Sequence, residues 1–262
     1  MVVELKLLSS KRNVFGIKGF TKEIMKEYTI EELKDISLHE DIFLLVDKII
    51  FPKDINPLRK MLENTKDFVF GYIFSDLSLI EIAKDLKIEK KLIYNPNTLL
   101  TNYMDFNYYA NDNIMGGFIS PFIPLEDVKK IIENKKMKTF YQGYGNLNMM
   151  YSRRPILENF LRHENIILDP KNKLDLTLLE ETREEKYPIV EKEDSSLIYT
   201  AKPFSALEVL NELKDLDYLY LDETFTDLDI YDIFSRALNG SSVSIPNTDS
   251  GFLYKKIVYR VR

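Results

Sequence analysis

Apolar stretches alternate with amphipathic stretches along most of this chain. Eight of the apolar stretches are short and rich in β-branched and aromatic residues, which predicts strands, several of them buried on both faces. They are Val2 to Leu8, Asn13 to Gly19, Asp41 to Asp47, Phe68 to Ser75, Lys91 to Asn95, Asn113 to Ser120, Lys138 to Gly145 and Asp217 to Glu223.

Helical spacing of apolar residues marks most of the intervals between these strands, as in INPLRKMLEN and PLEDVKKIIEN. Thr29 followed by Glu32 forms a capping pair of the kind that starts a helix. Regular alternation of strand and helix predicts an α/β fold, a TIM-like (β/α)8 barrel. The interval from Leu8 to Val14 is too short for a helix, so we expect the barrel to be incomplete or distorted, with its first helix missing.

Two further segments complete the predicted organisation of residues 1–262 as one barrel-like domain. Residues 166–200 contain KYPIVEKEDSSLIYT, which predicts a β-hairpin inserted before the last strand. Residues 241–262 form a C-terminal closing segment in which Leu253, Ile257, Tyr259 and Val261 share one face of an extended chain.

Composition narrows the class of protein. The chain has 262 residues, 45% of them hydrophobic, and no cysteine, which excludes disulfides, thiol nucleophiles and cysteine-ligated clusters. No apolar run reaches membrane-spanning length and the N-terminus does not resemble a secretory signal, so we expect a cytoplasmic protein. The net charge of −6 disfavours general nucleic-acid binding, although the lysines between Lys129 and Lys138 could attract phosphate or simply form a solvated helix face.

Candidate chemistry is sought at the carboxyl ends of the strands, where barrel active sites lie. The polar residues there are Asp47, Lys48, Ser75, Asp76, Asn95, Asn97, Ser120, Tyr144, Asn146, Asn148, Asp222 and Glu223. The four carboxylates are either an acid/base pair or ordinary helix caps, and capping is the favoured interpretation. His39 and His163 lie away from the strand ends and are predicted to be exposed, and no convergent acidic cluster predicts a metal site.

The most specific stretch is YGNLNMMYSRRPILEN, Tyr144 to Asn159. Arg153 and Arg154, with Tyr151, could clamp a carboxylate or phosphate, or one arginine could pair with a carboxylate on the barrel rim. Ser152 is either part of that site or the cap of the following helix.

This stretch resembles the signature of the peptidase U32 family, the collagenase-like proteases. Gly145, Leu147, Tyr151, Ser152 and Arg154 fall on matching positions. Weaker similarity extends over nearly the whole chain, including NPNTLLTNYMDF, which stands in place of an asparagine-containing family motif and adds Asn97 and Asn102 to the ligand-binding candidates.

The departures from the family pattern concern chemistry. The two signature cysteines fall on Asn148 and Pro155, and a charged family segment falls on the residues around Asp222. The resemblance implies tRNA or rRNA hydroxylation, with prephenate and an iron–sulfur cluster involved, but a chain without cysteine lacks the usual cluster ligands. We therefore expect no cluster, and prephenate or a similar carboxylate as a possible ligand.

Three hypotheses follow. The first is a cluster-free subunit or paralogue in the formation of 5-hydroxyuridine at the tRNA wobble position, with a cysteine-bearing paralogue and tRNA as partners. The second is a collagenase-like endopeptidase. The third is a non-catalytic barrel that binds a small anion or a protein. Neither catalytic residues, enzymatic activity nor an oligomeric state is predicted.

Overall fold

The structure is a computed structural model that describes residues 5–22, 26–182 and 184–255. Within these ranges the strands are β1 (Lys6–Ser9), β2 (Val14–Ile17), β3 (Glu27–Tyr28), β4 (Phe43–Val46), β5 (Gly71–Phe74), β6 (Leu92–Tyr94), β7 (Gly116–Phe118), β8 (Lys138–Gly145), β9 (Asn148–Ser152), β10 (Thr177–Leu179), β11 (Lys186–Lys192), β12 (Ser195–Tyr199), β13 (Phe204–Ser205) and β14 (Tyr218–Leu221).

The α-helices of the same ranges are α1 (Ile30–Ile36), α2 (Ile55–Thr65), α3 (Ser78–Leu86), α4 (Tyr103–Tyr108), α5 (Leu125–Glu133), α6 (Ile156–His163) and α7 (Ile230–Leu238). The predicted capping pair is present, because the Thr29 side chain accepts from Glu32 N and the Glu32 side chain accepts from Thr29 N. The segment from Leu207 to Glu212 is a 3-10 helix.

Nine parallel strands form the main sheet in the order β1-β14-β8-β7-β6-β5-β4-β2-β3. All eight strands predicted from the apolar stretches are present, and β3 is an additional edge strand. The chain passes from β1 to β2 through a tight turn in which Asn13 Oδ1 accepts from Ser9 N. No helix fits there, as predicted.

The sheet is curled, and side chains from its concave face pack together. Alternation along β4 sends Phe43 and Leu45 inward and Leu44 and Val46 toward the helices. The rings of Phe43 and Tyr218 lie 5.9 Å apart although four strands separate β4 from β14 in the sheet. Within the described residues, β1 and β3 remain the two unjoined edges, so the structure confirms an incomplete TIM-like barrel.

A second, four-stranded antiparallel sheet has the order β10-β11-β12-β9. Strands β11 and β12 are the predicted hairpin. Its partner β9 follows β8 after only two residues, because the chain leaves the barrel at Gly145 and turns onto the hairpin.

Gly145 permits that exit. Its φ is +125°, and a Cβ atom there would lie 2.7 Å from Asp222 Cβ and 2.8 Å from Asp222 O. A side chain would therefore collide with the end of β14, which explains why a glycine ends β8.

The C-terminal segment is described as far as Lys255. The Leu253 side chain is buried, and Leu253 O accepts from Leu125 N at the start of α5. Ile257, Tyr259 and Val261, which the predicted closing strand needs, lie outside the described residues.

Candidate functional site

Two groups of polar residues lie at the mouth of the barrel. One group is charged and lies where β2 and β4 meet the hairpin; it comprises Lys22, Asp47, Lys48, Arg153, Lys192 and Asp194, and we call it the charged half of the rim. The other comprises Asn95, Asn97, Gln142 and Asn148 at the ends of β6 and β8 and the start of β9, and we call it the carboxamide half.

Arg153 ties the charged half together. Its Nη1 donates to Ile49 O at 2.8 Å, its Nη2 lies 2.9 Å from Asp194 Oδ2, and its guanidinium lies 4.5 Å from the centre of the Phe51 ring. Lys48 Nζ lies 2.7 Å from the same Asp194 oxygen. The predicted rim ion pair of an arginine is therefore present at Arg153, and its guanidinium is already occupied by protein groups.

Burial raises the pKa of Asp194, but the hydrogen bond from Lys48 and the charges of Lys48, Arg153 and Lys192 outweigh it and hold that pKa below its usual range. Asp194 is in the turn between β11 and β12. The ionised carboxylate thus fastens the hairpin turn to the loop that follows β4.

Below this ion pair, Asp47 Oδ1 accepts from Lys22 N at 2.8 Å. Lys22 Nζ lies 4.0 Å from Asp47 Oδ2 and 5.4 Å from the centre of the Tyr151 ring. Burial raises the pKa of Tyr151 to about 12. Tyr151 packs on the hairpin residues Val190, Leu197 and Tyr199, so its ring is part of the small-sheet core.

Lys192 joins the hairpin to the β3 edge of the barrel. Its Nζ donates to Thr21 O at 2.9 Å and lies 2.6 Å from Glu27 Oε1. An open groove of about 600 Å³ passes along these residues. Two of its three lysines, Lys48 and Lys192, contact carboxylates, which reduces the positive potential that the groove offers to a ligand.

Glu191, which the sequence analysis missed, caps helix α6. The buried Glu191 carboxylate accepts from Leu157 N at 2.6 Å and Glu158 N at 2.9 Å, while Ser196 Oγ accepts from Ile156 N at 3.0 Å. Ser152 Oγ accepts from Arg154 N at 3.3 Å and from none of the α6 amides in the described chain. Of the two alternatives for Ser152, the helix cap is therefore wrong, because the hairpin supplies the acceptors.

Arg154 differs from its neighbour. Its side chain is exposed and makes no hydrogen bond or ion pair with the described part of the chain, while Arg154 O accepts from Ser196 Oγ at 2.8 Å. Of the two arginines in the signature stretch, Arg154 is the one whose guanidinium is available to a ligand.

The carboxamide half surrounds a small cavity at the barrel mouth. Asn95 Oδ1 accepts from Asn97 N at 3.2 Å, Gln142 Nε2 donates to Tyr144 O at 3.4 Å, and Asn148 Nδ2 donates to Met150 O at 3.3 Å. Two of the predicted candidates, Asn97 and Asn148, thus meet in one place.

Gln142 is not among the predicted candidates, because those were sought at the ends of strands and Gln142 lies within β8. Its position carried a signal nevertheless: it follows the inward-facing Phe140 by two residues, and side chains two apart in a strand face the same side. The same parity places Asn95 two residues after the inward-facing Ile93.

The remaining strand-end carboxylates have local structural roles. Asp76 Oδ1 accepts from Ser78 N at the start of α3, and Glu223 Oε1 accepts from Ile230 N at the start of α7. Both carboxylates thus bind helix-start amides, although the N-cap positions are Leu77 and Asp229. Asp222 Oδ1 accepts from Thr224 N at 3.0 Å. Asn102 Oδ1 accepts from Met104 N and Asp105 N, which makes it the cap of α4 and places it apart from the cavity.

Both histidines are exposed, as predicted; His163 Nε2 lies 3.8 Å from Glu164 Oε1. Lysines of the Lys129 to Lys138 segment pair with carboxylates, with Lys129 at 3.0 Å from Glu212 and Lys135 at 2.6 Å from Asp217. Lys138 begins β8, so this segment lies at the end of the barrel opposite the carboxamide half.

No group of three or more histidine, aspartate or glutamate side chains within the described ranges is placed to hold a metal ion. Across those same ranges, none of the helices combines the length and apolarity required to span a membrane.

The fold and the rim define an incomplete α/β barrel with an inserted hairpin sheet that covers one side of its mouth. Residues 13–221 match the family model for Peptidase family U32, so the chain belongs to this family. A solved U32 peptidase, Mk0906, superimposes with a TM-score of 0.50 over 85% of this chain and 92% of that one at 14% sequence identity, which supports the same fold.

Among curated proteins, the chain is similar to tRNA hydroxylation protein P2 of Bacillus subtilis (strain 168), with 24% identity over 146 residues. The match covers 55% of this chain and 47% of that protein, so it spans about half of the relative's length.

The cluster that the family resemblance implies does not fit this chain. The two signature positions hold Asn148, whose amide donates to Met150 O, and Pro155, which has no side-chain donor atom and precedes α6. The sequence contains no cysteine at any position. These residues offer no thiolate to iron, and no chemical step through a cluster is derived for this chain.

Proposed function

We propose that this chain is a cluster-free component of tRNA hydroxylation that acts in the formation of 5-hydroxyuridine at the wobble position. The observation that carries the proposal is the similarity to tRNA hydroxylation protein P2 in a chain that belongs to the same family. The uncharged, hydrogen-bonding carboxamide half of the rim is compatible with an RNA base as the ligand.

A cysteine-bearing paralogue is the proposed partner. Because this chain has no thiolate, the family's cluster chemistry has to come from another subunit. In this arrangement the present chain contributes substrate binding, and the paralogue contributes the redox centre.

Deletion of the gene, followed by mass spectrometry of tRNA nucleosides, tests the role. We expect 5-hydroxyuridine and its derivatives to be lost and their uridine precursor to accumulate, with restoration by the wild-type gene. Unchanged 5-hydroxyuridine in the deletion strain contradicts the proposal. Affinity purification from the native cells tests the partner, with a cysteine-bearing U32 protein as the expected co-purifying chain.

The free guanidinium of Arg154 supports a second candidate, binding of a small carboxylate such as prephenate. An exposed arginine without a protein partner can form a bidentate bond with a carboxylate. Thermal stabilisation by prephenate that disappears in Arg154→Ala and persists in Arg59→Ala, a control whose guanidinium pairs with Asp85 on the outer helices, supports it. Equal stabilisation in both variants contradicts a role for Arg154.

A further inference from the structure

The carboxamide half of the rim has unused hydrogen-bonding capacity. The Asn97 carboxamide, Asn95 Nδ2, Gln142 Oε1 and Asn148 Oδ1 have no hydrogen-bond partner among the residues that the structure describes. All four side chains are half-buried. Half-buried polar atoms of this kind still reach solvent, so their free donors and acceptors around one cavity are available to a ligand or to water.

The lining of this cavity is uncharged. Besides the carboxamides it consists of apolar residues, among them Phe118 and Phe122. A lining without charge disfavours phosphate and carboxylate ligands, which need compensating cations when they lose water. It favours a neutral ligand that has both donors and acceptors, because each carboxamide offers one oxygen acceptor and two N–H donors.

The size of the cavity limits how a ligand can bind. About 20 Å³ is available inside, enough for one water molecule and too little for a ring. The ligand therefore lies across the mouth and presents one compact edge to the carboxamides. The half-buried Phe122 ring is in the same lining and offers an apolar surface beside that edge.

We propose that the carboxamide half binds the hydrogen-bonding edge of a pyrimidine base. Uracil carries an N–H donor between two carbonyl acceptors, which matches the mixed donors and acceptors of neighbouring carboxamides. The choice of uracil among the pyrimidines rests on the proposed function. Peptide backbone also pairs with carboxamides, but an extended peptide needs an elongated groove, whereas these four side chains line one cavity of about 20 Å³.

The anticodon loop is a suitable source of this base. Sequence-specific RNA recognition uses single-stranded loops whose bases are free to turn outward and to expose their pairing edges. The cations of the charged half already pair with carboxylates of the protein. The proposed contact with the base therefore does not depend on them.

The test uses the full chain and a synthetic anticodon stem-loop with uridine at the wobble position, with affinity measured by fluorescence anisotropy. A second stem-loop carries N3-methyluridine there, which removes the N–H donor and blocks the edge. We expect the methylated stem-loop to bind about tenfold more weakly, the effect of roughly one or two lost hydrogen bonds. Equal binding of the two stem-loops overturns the proposal.

Two isosteric variants, Asn97→Asp and Gln142→Glu, replace a neutral carboxamide by a carboxylate without a change of shape. Asn97 has a φ of +62°, a conformation that aspartate also tolerates, so the loop is expected to fold normally. Each variant is expected to weaken uridine stem-loop binding about tenfold and to reduce the preference over N3-methyluridine. Asn64→Ala, which removes an exposed carboxamide from the outer helix α2, is the control and should bind like wild type.

Two outcomes separate this inference from the proposed function. Loss of 5-hydroxyuridine on gene deletion, together with wild-type RNA binding by Asn97→Asp and Gln142→Glu, overturns the base site and leaves the function standing. Normal 5-hydroxyuridine in the deletion strain, together with a preference for uridine over N3-methyluridine that both variants lose, overturns the function and leaves the base site standing. Competition by a gelatin-derived peptide that both variants lose, without an N3-methyl effect, assigns the site to peptide and overturns the base proposal.

Discussion

The two halves of the barrel rim use polar residues in opposite ways. In the charged half, Arg153 and Lys48 share the Asp194 carboxylate, and Lys192 reaches Glu27. In the carboxamide half, Asn97 and its neighbours keep donors and acceptors unpaired toward a cavity. The most conspicuous charges therefore hold the hairpin sheet on the barrel, and the neutral side chains are the ones available for recognition.

The largest expected effect comes from removing the buried anchor of the hairpin sheet. Glu191→Ala leaves Leu157 N and Glu158 N without their acceptor in a buried place, which should lower the free energy of unfolding by about 2–4 kcal/mol. Urea denaturation followed by circular dichroism measures it. A loss below about 0.5 kcal/mol contradicts the role of Glu191 as the cap of α6.

Arg153→Ala should have the next largest effect. It removes the hydrogen bond to Ile49 O, one of the two cations at Asp194, and the contact with the Phe51 ring, for an expected loss of about 1–3 kcal/mol. Arg154→Ala is the matched control, because its side chain makes no such contacts, and should change stability by less than about 0.5 kcal/mol. Equal losses in the two variants contradict the assignment of Arg153 as the structural arginine.

Acid should weaken the charged half through Asp194. Its pKa is held below the usual range, so its contribution to stability is complete above the unfolded-state pKa of about 3.9 and is lost as the pH falls through the lower folded-state value. The stability difference between wild type and Asp194→Asn should therefore be the same at about pH 6 and about pH 5, and should shrink as the pH falls below about 4. Urea denaturation at several pH values measures it, and a constant difference contradicts this account.

The smallest effect on stability is expected in the carboxamide half. Asn97→Asp should change the free energy of unfolding by less than about 0.5 kcal/mol, because the Asn97 side chain makes no hydrogen bond within the described chain. The same variant should bind the uridine stem-loop about tenfold more weakly, so stability and binding separate in this half of the rim. A destabilised Asn97→Asp shows instead that the carboxamide supports the loop.

The main sheet was accessible from sequence because its strands are continuous apolar runs such as Asp41 to Asp47, separated by amphipathic helices. The small sheet was only partly accessible. The hairpin β11–β12 has a local turn signal, but β9 and β10 pair with it over long sequence distances, and such pairing leaves little local signal.

The candidate site residues also divide into those with a local sequence signal and those without one. Asn97 and Asn148 were found because they follow predicted strands, and the family resemblance added Asn97 independently. Glu191 was missed because the partners of a capping carboxylate are far away in sequence. Ser152 was considered as a cap because it lies just before α6. Only the folded chain shows that the amides at the start of α6 donate to Glu191 of the hairpin instead.

The most direct test of the account is the 5-hydroxyuridine content of tRNA in a deletion strain that is complemented in turn with wild type, Asn64→Ala and Asn97→Asp, each at equal protein level. We predict that wild type and Asn64→Ala restore the modified nucleoside and that Asn97→Asp does not. Normal 5-hydroxyuridine in the uncomplemented deletion strain, or full restoration by Asn97→Asp, would contradict the account.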